Sequence, residues 1–176
     1  MHFRKAKSSD HNDILNIYLS AFPESENKDV ANLAIELLAE KTTPETISLV
    51  AESGDTVVGH ITFSPVVFDN NDSQLGYILA PLAVSPDYQK QRTGSQLIEK
   101  GKEILLKKGV NFLFVYGDPE YYCRFGFSKQ KAEKHTPKHK LQYPFGWQAI
   151  ILKPLSGETI PGKIVCVAAL DKPELW

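Results

Sequence analysis

A single α/β domain built on a mixed sheet is the fold class this sequence predicts, and three observations carry that expectation. Apolar positions alternate between helical and strand-like spacing along 176 residues, with no internal repeat and no long linker. One amphipathic helical segment lies between two apolar strand-like runs, which is the pattern of a strand–helix–strand crossover. The length suits one ordinary domain, and 42% hydrophobic with 23% charged residues is the balance of a chain that buries a core.

The elements follow in order. Ile14, Ile17, Tyr18, Ala21 and Phe22 keep helical spacing, with Ser8, Ser9 or Asp10 available as N-cap. Phe22 to Asn27 reads as a loop, and Val30, Leu33, Ala34, Leu37 and Leu38 define a second helix that stops before Thr43-Pro44. Two strands, Ile47 to Glu52 and Thr56 to Ser64, flank a Ser53-Gly54-Asp55 turn. A polar connection from Asp69 to Ser73 precedes a strand from about Leu75 to Val84. Gly94 opens the third helix, with Leu97, Ile98, Gly101, Ile104 and Leu105 on one face, and Gly109 ends it. Asn111 to Tyr116 is almost entirely apolar, as in a strand covered on both faces. Asp118-Pro119 then supplies an N-cap and a first-turn proline for a short helix. A basic, turn-rich stretch runs to Trp147, and Gln148 to Lys153 and Lys163 to Leu170 read as the last strands.

Bulk properties narrow the function. A net charge of −1, from 20 basic and 21 acidic residues, argues against a general nucleic-acid binder. Ile164 to Leu170 is the longest apolar run and is too short to span a bilayer, and the start MHFRKAKSSD lacks the apolar core of a signal peptide. Cys123 and Cys166 alone give no disulfide framework. A cytoplasmic protein with no membrane partner is expected.

The most informative stretch is Leu82 to Leu97, LAVSPDYQKQRTGSQL. An apolar strand breaks at Ser85-Pro86 and re-enters a helix at Gly94. The loop between carries Gln89, Lys90, Gln91, Arg92, Thr93 and Ser95, with Asp87 its only carboxylate. A strand, a donor-rich loop and a helix N-terminus together form a nest for an anion, most often phosphate. The chain lacks G-x-x-x-x-G-K-[ST] and lacks G-x-G-x-x-G after a first strand, so other phosphate binders fit poorly. By the crossover topology, this loop and Asp118 to Tyr122 both lie beyond strand carboxyl ends, where ligands bind and one cleft is expected.

Taken together, these segments resemble the GNAT superfamily of acetyl-CoA-dependent acyltransferases, and the resemblance covers nearly the whole chain. Its signature Q/R-x-x-G-x-G/A, with the preceding strand and Pro-x-Tyr turn, is matched at Pro81, Leu82, Ala83, Val84, Pro86, Tyr88, Gln89 and Gly94. GDPEYYCRFGF, Gly117 to Phe127, is similar to the bacterial YhbS-like subgroup. The resemblance implies a splayed central sheet of about seven strands flanked by helices, with residues 1–176 as one domain. It implies transfer of acetyl from acetyl-CoA straight to an amine of a small molecule or protein. The Gln89–Ser95 loop (Gln89, Lys90, Gln91, Arg92, Thr93, Gly94 and Ser95) would hold the pyrophosphate. Backbone groups of Leu82, Ala83 and Val84 would face the pantetheine and thioester, and Tyr122 would protonate the departing thiolate.

Arg92 departs from the pattern, standing where the family usually has its first glycine. If φ is positive there, a non-glycine residue costs about 1–2 kcal/mol. A guanidinium fork on a phosphate would offset that, whereas the alternative is a solvated surface arginine. Tyr122 has a similar pair of readings, as acid or as a core aromatic with a satisfied hydroxyl. Asp118 reads as a helix cap, His60 as a structural histidine within a strand, and Cys123 as a small buried residue. Leu82, Ala83 and Val84 also suit plain core packing. The general base is unassigned, with Glu24 and Glu26 in the loop that borders the acceptor site in this family. His135 and His139 are four apart, but Pro137 between them breaks a helix, so no metal site is expected. The surrounding lysines suggest a solvated loop. An acyl-CoA-binding regulatory module without transferase activity is the competing reading. The acceptor pocket is expected from the first interhelical loop and the region after Phe127. Either a monomer or a homodimer is compatible, with an exposed Trp176 as one possible contact.

Overall fold

A computed structural model of the chain describes residues 1–69 and 73–176, so the expected connection Asp69–Ser73 falls mostly outside the described residues. Eight strands join one mixed sheet: β1 (His2–Lys5), β2 (Ile47–Ser53), β3 (Thr56–Phe68), β4 (Gly76–Val84), β5 (Phe112–Tyr116), β6 (His135–Pro137), β7 (Trp147–Ile151) and β8 (Gly162–Cys166). Helices α1 (His11–Ala21), α2 (Asn27–Ala39), α3 (Thr93–Lys107), α4 (Pro119–Tyr122) and α5 (Lys129–Ala132) complete it. The mixed sheet flanked by helices is as expected, with eight strands among the described residues where about seven were expected. Two short ones, β1 and β6, have too few apolar residues to show a period and exist by pairing with β2 and β8. The last strands are also shorter than expected and end at Ile151 and Cys166.

Contacts divide the chain into two compact units, Met1–Phe63 with Ala80–Gly101, and Ser64–Leu79 with Lys102–Trp176. In the first unit β1, β2 and the front of β3 are antiparallel neighbours, with Ile47↔Phe63 and Val50↔His60 in register. Helices α1 and α2 pack together, as their apolar spacing predicts. Ile14, Ile17, Tyr18, Ala31 and Ala34 close over Val50, Val57 and Ala83. Each large apolar side chain buried this way contributes about 1.5–3 kcal/mol. Asp10 does not cap α1 through its side chain. Its carboxylate accepts instead from the Lys7 backbone N–H at 2.7 Å and from Arg4 at 2.7 and 2.9 Å, which ties β1 to the helix entry. Arg4 bridges onward to Glu52 of β2.

The second unit holds the parallel pairing that the crossover predicts. β4 and β5 run in register from Gly76↔Phe112 to Leu79↔Val115, and β7 pairs antiparallel on β5. Its core is aromatic: Phe112 and Phe114 stack at 5.9 Å, Phe114 and Trp147 at 5.2 Å, and Tyr116 and Trp176 at 5.9 Å. The expected exposure of Trp176 is therefore corrected. The indole is 8% exposed and its Nε1 donates to the Leu170 carbonyl, because a large ring gains more by covering the sheet than by facing water. The segment expected to be a solvated basic loop is corrected as well. His135 and Pro137 are buried in β6, while Thr136, Glu133 and the lysines around them face solvent. His135 sits edge-on to Phe68, Phe112 and Phe114, with neither ring nitrogen hydrogen-bonded among the described residues.

Candidate active site

In the first unit the Gln89–Ser95 turn, the expected anion site, is built by breaking β4. Pro81 has no N–H to donate and Pro86 starts a one-turn 3₁₀ helix, so the chain leaves the sheet after Val84. Ala83 is buried while Leu82 and Val84 are half-exposed, the alternation of a strand with one packed face. Lys90 (φ 58°) and Arg92 (φ 66°) are both left-handed, which gives a turn of alternating handedness ahead of α3. The positive φ that the glycine departure at Arg92 left open is present, and Lys90 adds one that sequence did not reveal.

The donors divide into two groups. Gln89 Nε2 donates to the Val84 carbonyl at 3.0 Å, Gln91 Nε2 to Asp87 O at 2.9 Å, and Thr93 Oγ1 to Tyr88 O at 3.3 Å. These three side chains staple the turn to itself. The Lys90 and Arg92 side chains are exposed and make no hydrogen bond or ion pair among the described residues. Since α3 begins at Thr93, the N–H groups of Thr93, Gly94 and Ser95 have no intrahelical acceptor. Those amides and two cationic side chains, on the positive end of a helix of 15 residues, fit a pyrophosphate.

The second unit carries Tyr122. Asp118 caps α4 as expected, its Oδ1 accepting the Glu120 N–H at 2.9 Å, and Pro119 occupies the first turn. The Tyr122 ring lies against Gly117, where an added Cβ would fall 2.6 Å from the ring edge. Tyr121 and Phe127 meet it edge-on at 5.0 and 5.7 Å. The hydroxyl makes no hydrogen bond among the described residues. Burial, with smaller contributions from Tyr121 and Asp118, pushes the phenol well above its usual value of 10.0. Tyr122 is therefore neutral at physiological pH and presents an unspent O–H. Tyr121 points elsewhere, as expected: it packs on Phe125, and the Arg124 guanidinium covers its ring at 4.6 Å.

Cys123 is not buried as expected. It is exposed, with Sγ near the Glu120 carbonyl at 3.4 Å, because α4 passes into a 3₁₀ turn that sets this position on the outside. His60 is structural: it is fully buried, with Nδ1 2.9 Å from the Tyr18 hydroxyl and Nε2 2.7 Å from Ser48 Oγ. Burial lowers its pKa to about 3, so the ring stays neutral. His139 contacts Asp171 at 2.6 Å, while His135 lies in its aromatic nest, and among the described residues no group of three or more His, Cys, Asp or Glu is placed to hold a metal. Glu24 and Glu26 are exposed in the turn before α2. Among the described residues no helix is long and apolar enough to cross a membrane.

Sequence reasoning did not single out Tyr143 and Phe145. They line a cavity of about 430 Å³ in the second unit together with Tyr116, Asp118, Pro119 and Gly146. The available signal was two aromatics flanking a Pro144 turn in an otherwise polar stretch.

Known proteins resemble this chain in sequence and in fold. Residues 11–127 match the acetyltransferase (GNAT) family model. The uncharacterized N-acetyltransferase YjhQ of Escherichia coli K12 is 34% identical over 172 residues, covering 93% of this chain and 91% of that protein. Among solved structures, the GNAT-family N-acetyltransferase YhbS of Escherichia coli, in complex with CoA, aligns with a TM-score of 0.81 and 25% identity over 97% of this chain and 92% of that one. A GNAT-family acetyltransferase of Brucella melitensis, in complex with acetyl-CoA, gives a TM-score of 0.69 and 27% identity over 97% of both chains. With a family model spanning most of its length and a relative 34% identical over 93% of it, the chain belongs to the acetyltransferase (GNAT) family.

Proposed function

We propose that this N-acetyltransferase moves the acetyl group of acetyl-CoA directly onto a primary amine, with the Gln89–Ser95 turn as pyrophosphate cradle and Tyr122 as proton donor. The observation that carries the reading is the turn itself: left-handed Lys90 and Arg92, the Gln89, Gln91 and Thr93 side chains bonded back onto the turn, and first-turn amides with no intrahelical acceptor. A relative of 25% identity is described with CoA and one of 27% with acetyl-CoA, which supports the same ligand here. The match of GDPEYYCRFGF and the YhbS alignment favour the YhbS-like subgroup. Residues 1–176 are read as one catalytic domain, since β3, β4 and α3 each run from one compact unit into the other.

Acetyl-CoA supplies an activated acyl group and a thiol leaving group. The acceptor ammonium must first lose a proton to solvent. Its nitrogen then forms the C–N bond as the C–S bond breaks, the acylated nitrogen releases its surplus proton to solvent, and the departing sulfur takes a proton. Tyr122 is the group assigned to that proton. An ordinary thiol has a pKa of about 8.5, so full transfer from a phenol raised above its usual value is uphill. Tyr122 thus acts by donating a hydrogen bond that strengthens as sulfur gains charge, with transfer completed as solvent returns. Leu82, Ala83 and Val84 are assigned to the pantetheine and thioester through their main chain.

Thermal-shift titration with acetyl-CoA, followed by a thiol-release screen over amines, tests the proposal. Tyr122→Phe should leave acetyl-CoA affinity within about two-fold and lower turnover by about a hundred-fold or more. Binding with no thiol release across a broad amine panel would establish the regulatory acyl-CoA-binding module instead.

A further inference from the structure

The cavity at the carboxyl end of β5 is walled by rings. Tyr143 and Phe145 are 52% and 61% exposed, although aromatics of this size usually bury most of their surface. Their centroids are 5.8 Å apart at 52°, so they form an open corner. The backbone beneath the corner is anchored. The Tyr143 N–H donates to the Tyr116 hydroxyl at 2.8 Å, the Gly146 N–H to Tyr143 O at 2.9 Å, and the Gly117 N–H to Gly146 O at 3.0 Å. Gln148 Nε2 adds a bond to Gly117 O at 3.3 Å. These four hydrogen bonds tie down the backbone that carries the two rings, and a backbone ordered beneath two outward-facing rings suits a binding surface.

The polar content of the cavity narrows the ligand. Its one ionisable carboxylate is Asp118, which uses a single oxygen on the α4 cap. A ligand with many charges or hydroxyls would leave most of them unpaired against these walls. A flat apolar body with one ammonium matches rings and carboxylate together. The volume of about 430 Å³ suits a small molecule. Gly117 lines this cavity and also lies under the Tyr122 ring, so an occupant would sit beside the proposed proton donor.

We infer that the acetyl acceptor is an aromatic or bulky apolar primary amine, with Tyr143 and Phe145 as the specificity-determining residues. This inference rests on the acetyltransferase reading above and names its substrate class. With acetyl-CoA saturating, thiol release is measured with 2-phenylethylamine, tryptamine, spermidine and the aminoglycoside kanamycin. The aromatic amines should exceed the other two in kcat/KM by about ten-fold or more, and Phe145→Ala and Tyr143→Ala should each raise the KM for tryptamine about ten-fold. Acetyl-CoA affinity and kcat should stay near those of the unaltered protein, and Phe145→Leu should fall between. Preference for spermidine or kanamycin, or an unchanged KM in Phe145→Ala, overturns the inference and leaves the acetyltransferase reading standing. Loss of acetyl-CoA binding would overturn that reading itself. If no amine is turned over, tryptamine titrated into the CoA-saturated protein decides: binding weakened by Phe145→Ala supports the aromatic site, and no binding refutes it.

Discussion

Arg92→Gly separates backbone strain from charge, because the structure assigns the two effects opposite signs. Arg92 is left-handed at φ 66°, and a side chain there costs about 1–2 kcal/mol that glycine does not incur. Glycine returns about 0.5–1 kcal/mol through its freer unfolded chain. The net expectation is a stabilisation of about 0–1.5 kcal/mol, or up to about 6 °C in Tm for a domain of this size. The guanidinium is exposed and unpaired among the described residues, so its removal costs the free protein no contact. A charge-assisted hydrogen bond to a phosphate is worth about 1.5–3 kcal/mol, so CoA affinity should fall by about 10- to 150-fold. That loss should shrink at high salt, since an exposed charge is screened. Arg92→Ala keeps the Cβ strain while losing the charge, and should lose affinity equally without gaining stability. Urea unfolding and calorimetric CoA titration at two salt concentrations provide the readouts. A glycine variant that binds CoA as tightly as the parent makes Arg92 a solvated surface residue. One that is less stable refutes the strain argument.

Two further perturbations address the second unit and the buried histidines. Gly117→Ala places a Cβ 2.6 Å from the Tyr122 ring, which must tilt; we expect a loss of about 1–3 kcal/mol in urea unfolding and a fall in turnover with acetyl-CoA binding retained. Acid sensitivity should follow from His60, whose pKa is lowered to about 3 by burial, and from His135, lowered for the same reason. Between the unfolded value of 6.5 and the folded one, only the unfolded chain takes the proton, so stability is full above 6.5 and is lost as pH falls toward 3. The slope is at most about 1.4 kcal/mol per pH unit for each histidine. Because neither His135 nitrogen has a partner, His135→Leu should flatten this limb in pH-dependent urea unfolding without destabilising the protein at neutral pH.

What sequence made legible depended on whether a residue's role was set locally. The β4–α3–β5 crossover was readable because apolar period, N-terminal turn and Gly109 (φ 78°) all agree within one segment. The Asp118 cap was readable for the same reason, whereas at Arg92 the sequence showed only a departure from glycine and the structure supplied its positive φ. β1 and β6 were not readable, because four and three residues gain order only from partners distant in the chain. His135 reads as basic loop among lysines, and its burial is decided by the phenylalanines of β3 and β5. The stapling by Gln89, Gln91 and Thr93 was equally hidden: the sequence shows donors, and only the folded turn shows which carbonyls they meet. Tyr143 and Phe145 are exposed by the path of a loop, and no periodicity records that.

The aromatic column of the second unit has a spectroscopic consequence. Trp147 and Trp176 are the only two tryptophans in the chain, and both belong to that unit, 5.9 Å apart. Intrinsic indole emission therefore observes one compact unit and is blind to the other. Far-ultraviolet dichroism is dominated by helix, and α1 and α2 lie entirely in the unit that emits nothing from indole. Following both signals through one denaturation curve asks whether the units unfold together, without any label being attached.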